Sequence, residues 1–140
     1  MTHDKRVDDL FAEIIGLDAA LEMNIIPPSH YQAAADQFIA EFKTLPQTTR
    51  RQFCKAFNDA ADKSIVAMTT QELSALSAKK DTNIHLMRWL YNTAAETLGE
   101  KTSPRVAFMA GALKTLPTQT KDNGAKLAEA LRLAGWQHRR

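Results

Sequence analysis

Among the residues able to do chemistry, the basic ones are the most suggestively placed. Lys114, Lys121, Lys126, Arg132, Arg139 and Arg140 crowd the last third of the chain, and Arg50 and Arg51 stand side by side further back. Lysines and arginines gathered on one surface neutralise phosphates. A helix beginning near Lys121 would offer its free amides to another phosphate. Thr118, Gln119, Thr120 and Asn123 add short polar groups suited to base edges or to the backbone. DNA is therefore the first expected partner. If these cations converge on one face the pattern favours nucleic acid, and if they scatter it favours a protein partner; the sequence leaves both open.

Groups suited to catalysis are sparse. The five glycines, Gly16, Gly99, Gly111, Gly124 and Gly135, are isolated from one another, so no phosphate-cradling loop is present. Cys54 is the only cysteine and has Arg51 and Lys55 near it in sequence, but no histidine is identified as its partner. His3, His30, His85 and His138 fall in separate segments, and no Cys/His pair has zinc-ligand spacing. The carboxylates Asp4, Asp8, Asp9 and Glu13 read as favourable charge near a helix N-terminus rather than as a metal site. The expectation is a non-enzymatic protein without cofactor or metal.

The elements that would position these residues read as helices almost throughout. Val7, Leu10, Phe11, Ile14, Leu17 and Leu21 recur at three and four, predicting a helix over about Asp4 to Met23. The stretch "NIIPPSH" breaks it, and Ser29 is a suitable cap for a second helix over about His30 to Thr44, with Tyr31, Ala34, Phe38, Ile39 and Phe42 inward. A third helix follows Thr48 or Thr49 with Phe53, Phe57 and Ala60 on one face. Thr69 with Glu72 has capping-box spacing and opens a short fourth helix. The fifth carries Ile84, Met87, Leu90, Tyr91, Ala94 and Leu98, with Asp81 or Thr82 as cap and Gly99 as its stop. Ser103 and Pro104 open a sixth, with Val106, Met109 and Leu113 on one side; Pro117 ends it. The seventh runs from about Lys121 to Ala134, with Leu127, Ala128, Leu131 and Ala134 inward and Gly135 as terminator. "SIVAM", residues 64 to 68, is the one strand-like stretch, and a helical continuation or a buried turn suits it better; no sheet is expected. The class is all-α, a single domain over 1–140 built as a bundle of six or seven helices, with a helix-turn-helix-like unit open as a reading of the last third.

Charge is distributed unevenly along this bundle. The net charge is only +2, yet Met1 to Thr48 carry three Lys/Arg against eight Asp/Glu, whereas residues 101–140 carry eight against two. An acidic front and a basic end suit attraction of a polyanion at one end, or ordinary solvated helix faces. With 44% apolar and 24% charged residues the chain has enough apolar content for a core. No stretch has the length of a membrane span and the first residues lack a signal-like apolar run, so the expected location is cytoplasmic and no membrane partner is expected.

The ending "PTQTKDNGAKLAEALRLAGWQHRR" adds a resemblance. From Pro117 to Arg140 it resembles the C-terminal tail of phage and mobile-element replication proteins of the virulence-associated E type, in which a polar turn leads to a helix ending Leu-x-x-x-Gly-Trp and then basic residues. The resemblance implies structural roles for Leu127, Leu131, Gly135 and Trp136, and a basic side formed by Lys126, Arg132, Arg139 and Arg140. It covers 24 of the 140 residues. The ATPase or primase core of those proteins has no counterpart here, so their activity does not carry over. Two functions follow as expectations: a DNA-binding or replication accessory protein of a phage or plasmid, or a helical protein-interaction module such as an adaptor, immunity or inhibitor protein. Trp136 fits a helix-end anchor or a base-stacking platform. A homodimer is a further reading, with Trp89 either covering its seam or buried in the core.

Overall fold

The computed structural model describes residues 5–78, 81–116, 119–121 and 123–135, with only the backbone described at 81–83, 119–121 and 123. Among these residues the fold is all-α. It comprises α1 (Lys5–Glu22), α2 (Pro28–Lys43), α3 (Gln47–Ala67), α4 (Thr70–Ser77), α5 (His85–Leu98), α6 (Pro104–Thr115) and α7 (Asn123–Ala134), with a 3-10 turn at Gly99–Lys101. The contacts divide into two compact units, Met1–Phe53 and Cys54–Arg140, and the division falls inside α3.

The first unit is built on aromatic rings. Val7 and Ile14 are buried on α1, and Tyr31, Ala35, Phe38 and Phe42 on α2. Phe53 lies against Phe11 at a ring separation of 4.7 Å, meets Phe42 edge-on at 5.3 Å and stands 6.4 Å from Phe38. Offset and edge-on ring pairs add about 0.5–1.5 kcal/mol each to their area burial. Between α1 and α2 the chain turns through Asn24, which takes a positive φ of 58°; asparagine tolerates that region better than most residues. Pro27 caps α2 in an extended conformation and Pro28 takes its first position. The helix thus starts two residues before the expected His30, because a proline at the first turn forfeits only an amide that has no partner there.

The second unit has a continuous core formed by Ala61 and Ile65 of α3, Leu73 of α4, Tyr91 of α5, Val106, Met109 and Leu113 of α6, and Leu127 and Leu131 of α7. Residues 64–67 continue α3, as their sequence suggested. Thr69 caps α4 by accepting the Glu72 amide at 3.1 Å, the arrangement its spacing predicted. Asp81 and Thr82 do not cap α5. They belong instead to a three-residue strand, β1 (Asp81–Asn83), antiparallel to β2 (Gln119–Lys121), with Thr82 opposite Thr120. The expectation of no sheet is corrected to this extent: each strand is too short to show alternation, and a β-branched threonine at each centre suits the extended backbone. Lys121 is consequently in β2, and α7 starts at Asn123.

Candidate functional site

The basic residues are best judged on α7, whose outward face carries two of them. At roughly 100° per residue, the buried residues Gly124, Leu127, Ala128, Leu131 and Ala134 fill one side of the helix, and Ala125, Lys126, Glu129, Arg132 and Leu133 are exposed on the other. Lys126 and Arg132 stand at opposite margins of that exposed arc, and Glu129 sits between them. The Arg132 guanidinium is paired with the Glu129 carboxylate one turn back. A phosphate approaching this face would meet an arginine already engaged with an acid, and a carboxylate at the centre.

Of the other expected cations, four belong to other elements of the described structure. Lys114 is exposed in the last turn of α6. Lys121 is placed by its backbone in β2. Arg50 and Arg51 belong to the first unit, on α3, Arg51 exposed and Arg50 half-buried with its Nε buried and lacking a hydrogen bond among the described residues. Arg139, Arg140 and Trp136 lie outside the described residues. Trp89 is half-buried on α5. The connection read as a polar turn carries β2, and the start of α6 meets the end of α7, since a side chain added at Gly135 would stand 2.9 Å from Arg105 Nε.

A polar cluster missed in the sequence reading anchors this pair to α3. Asn58 and Asp62, one turn apart on α3, face the start of α6. The Ser103 amide donates to Asn58 Oδ1 at 2.9 Å and the Ser103 hydroxyl to Asp62 Oδ1 at 2.8 Å. The same hydroxyl accepts the Val106 amide at 3.2 Å, which caps α6, and Arg105 Nη1 reaches Asp62 Oδ1 at 3.2 Å. The Ser103 hydrogen bond above all, and then Arg105, hold the Asp62 carboxyl below its ordinary range against some loss of hydration. The only sequence signal was the i, i+4 spacing of Asn58 and Asp62, which names no partner. Asn58 Oδ1 and Asp62 Oδ1 of α3 are thus both engaged with the start of α6. Elsewhere in the second unit, buried Cys54 has its sulfur 4.0 Å from Thr93 O, and burial pushes the Tyr91 hydroxyl up to about 12. Among the described residues no three His, Cys, Asp or Glu side chains stand close enough together to hold a metal ion.

Apolar surface is the more unusual feature. Ile15 is 66% exposed, Met23 69% and Ile25 67% in the first unit; Phe108 is 44% and Leu133 64% exposed in the second. On α6 the exposed residues Pro104, Ala107, Phe108, Gly111 and Thr115 form an outward face of small and apolar groups with Lys114 at its edge. The stripe on α1 was readable, because Ala12, Ile15, Gly16, Ala19 and Met23 have helical spacing of their own; it was hidden behind the stronger stripe of Val7 to Leu21. No helix among the described residues is long and apolar enough to cross a membrane. No family model, no curated protein and no solved structure matches this chain.

Proposed function

We propose that this chain is a helical protein-interaction module, in the manner of an adaptor or inhibitor protein. The observation that carries the reading is that α1 and α6 each turn small and apolar residues to water on the side away from their core face, with Ile15, Met23 and Phe108 among the exposed groups. Contiguous apolar surface is costly to leave in water, and where it is present it marks surfaces that bind. The basic residues of α7, by contrast, share their face with Glu129.

Affinity capture from nuclease-treated cell extract tests the proposal when wild type is run beside Ile15→Glu and Phe108→Glu. A defined protein partner retained by wild type and lost from one of the two variants is the expected result. DNA binding is the competing reading, favoured by the eight Lys/Arg against two Asp/Glu in residues 101–140. Fluorescence anisotropy with labelled duplex and single-stranded DNA across a salt series decides it. Affinity that falls with salt, with a shallower slope after removal of His138 to Arg140, would overturn the protein-interaction reading in favour of phosphate contacts.

A further inference from the structure

The outward side of α1 has a definite chemical character beyond being apolar. Ala12, Ile15, Gly16 and Ala19 run along it and Met23, one residue past the helix end with its amide still bonded to Ala19 O, continues the line, at intervals of three, one, three and four. All five are exposed, and nothing lies within 4 Å of the position a side chain on Gly16 would occupy. The stripe is about 17 Å long at 1.5 Å per residue, which is three helical turns. Ile15 and Met23 stand on either side of the small residues Gly16 and Ala19, and the open space beside Gly16 leaves a shallow trough between them.

Both borders of the trough are acidic. By helical position Asp9 and Glu13 flank it on one side, with Arg6 beside Glu13 and turned to Thr49 of α3, and Asp18 and Glu22 flank it on the other; Asp8 and Lys5 stand at its N-terminal end, so five carboxylates outnumber two cations around the face. The helix has no basic residue in its last turn and ends in Glu22, where the backbone dipole already contributes about half a negative charge. Charge in the rest of the first unit adds to this. Glu41 of α2 is close enough to Glu13 that, after partial burial, its repulsion is the second cause raising the Glu13 carboxyl above its ordinary range. Asp18 accepts the Tyr31 hydroxyl at 3.1 Å, which leaves its negative charge in place.

Resting on the reading of the chain as a protein-interaction module, we propose that this face of α1 docks a basic amphipathic helix, its apolar residues in the trough and its lysines or arginines against the two acidic borders. The occupant follows from charge. A second copy of α1 would set acidic borders against acidic borders, and an anionic surface such as nucleic acid would meet the same repulsion. A helix with apolar residues at i, i+3, i+4 and i+7 and cations on either side satisfies both the trough and its rims.

The test uses the full chain and a fluorescein-labelled synthetic helix of the length of α1, with leucine and alanine on one face and lysine elsewhere. The control peptide has every lysine replaced by glutamate. Anisotropy should show binding of the basic peptide that weakens with salt, and none of the acidic one. Ile15→Ser with Met23→Ser should weaken binding by about tenfold or more, because most of the apolar contact is lost. Asp9→Asn with Glu22→Gln should weaken it by about three- to tenfold and flatten the salt dependence. All four positions are exposed, and circular dichroism checks that the variants remain folded. Absence of binding, equal binding of the two peptides, or binding unchanged in both variants would overturn the proposal. So would sedimentation showing a wild-type dimer that the Ile15/Met23 substitutions dissociate, which would assign the face to a second copy. A partner captured through Phe108 alongside a peptide that fails to bind α1 would remove this inference and leave the protein-interaction reading standing.

Discussion

At the scale of single residues, Ser103 does two things with one hydroxyl: it caps α6 and joins it to α3. Ser103→Ala is expected to lower stability by about 1–2 kcal/mol, the upper range for loss of a helix cap, measured by urea denaturation. Asp62 lends the same junction a pH dependence. Its carboxyl titrates below the ordinary value of 3.8 in the folded chain, so its contribution is complete above that value and declines as pH falls through the folded one. Wild type should therefore melt higher than Asp62→Asn at neutral pH, with the gap closing below about pH 4. Glu13 has the opposite sign. A raised carboxyl pKa means that the folded state prefers the protonated form, so ionisation costs stability as pH rises past its folded pKa. Glu13→Gln should raise the melting temperature at pH 7 and leave it unchanged in acid, with a gain of only a few tenths of a kcal/mol because the group is screened by water. A lower melting temperature for Glu13→Gln at neutral pH would contradict the crowding with Glu41.

Elements reveal how much of this was legible beforehand. The cap of α4 by Thr69 and of α6 by Ser103 could be read because a cap depends on residues only three positions apart. Removing the Thr69 hydroxyl with alanine should fray α4 at a cost of about 1 kcal/mol, seen as faster amide exchange over residues 70–77. The core stripes of α5 and α6 were equally local in origin, although Leu86, among the most buried residues of α5, was missed beside them. The β1–β2 ribbon could not be read, since Thr82 and Thr120 are 38 positions apart in sequence and neither strand exceeds three residues. Gly135 was identified as the stop of α7, and its φ of 131° agrees. The neighbour on its open side, Arg105, was not foreseeable. Gly135→Ala should cost about 1 kcal/mol or more through backbone strain together with displacement of Arg105.

For the whole molecule, the two cores are distinct sets of residues: Phe38, Phe42, Phe53 and Tyr31 with Val7 and Ile14 in Met1–Phe53, and mostly aliphatic residues with Met109 and Tyr91 in Cys54–Arg140. Phe38→Ala is expected to destabilise by about 3–5 kcal/mol and Met109→Ala by about 2–5 kcal/mol. Hydrogen exchange should locate the first effect in α1 and α2 and the second in α4 to α7; a uniform rise across the chain in both variants would show one cooperative core instead. The sequence by itself determined the helical class, most helix ends, the apolar stripes and the acidic-to-basic gradient, because each depends on composition or on residues within a turn or two. Only the tertiary structure decided that Asn58 and Asp62 hold the start of α6, that Glu41 bears on Glu13, and that the second stripe on α1 is left exposed. Those outcomes depend on which surfaces meet, and helical periodicity records that a face is apolar without recording what covers it.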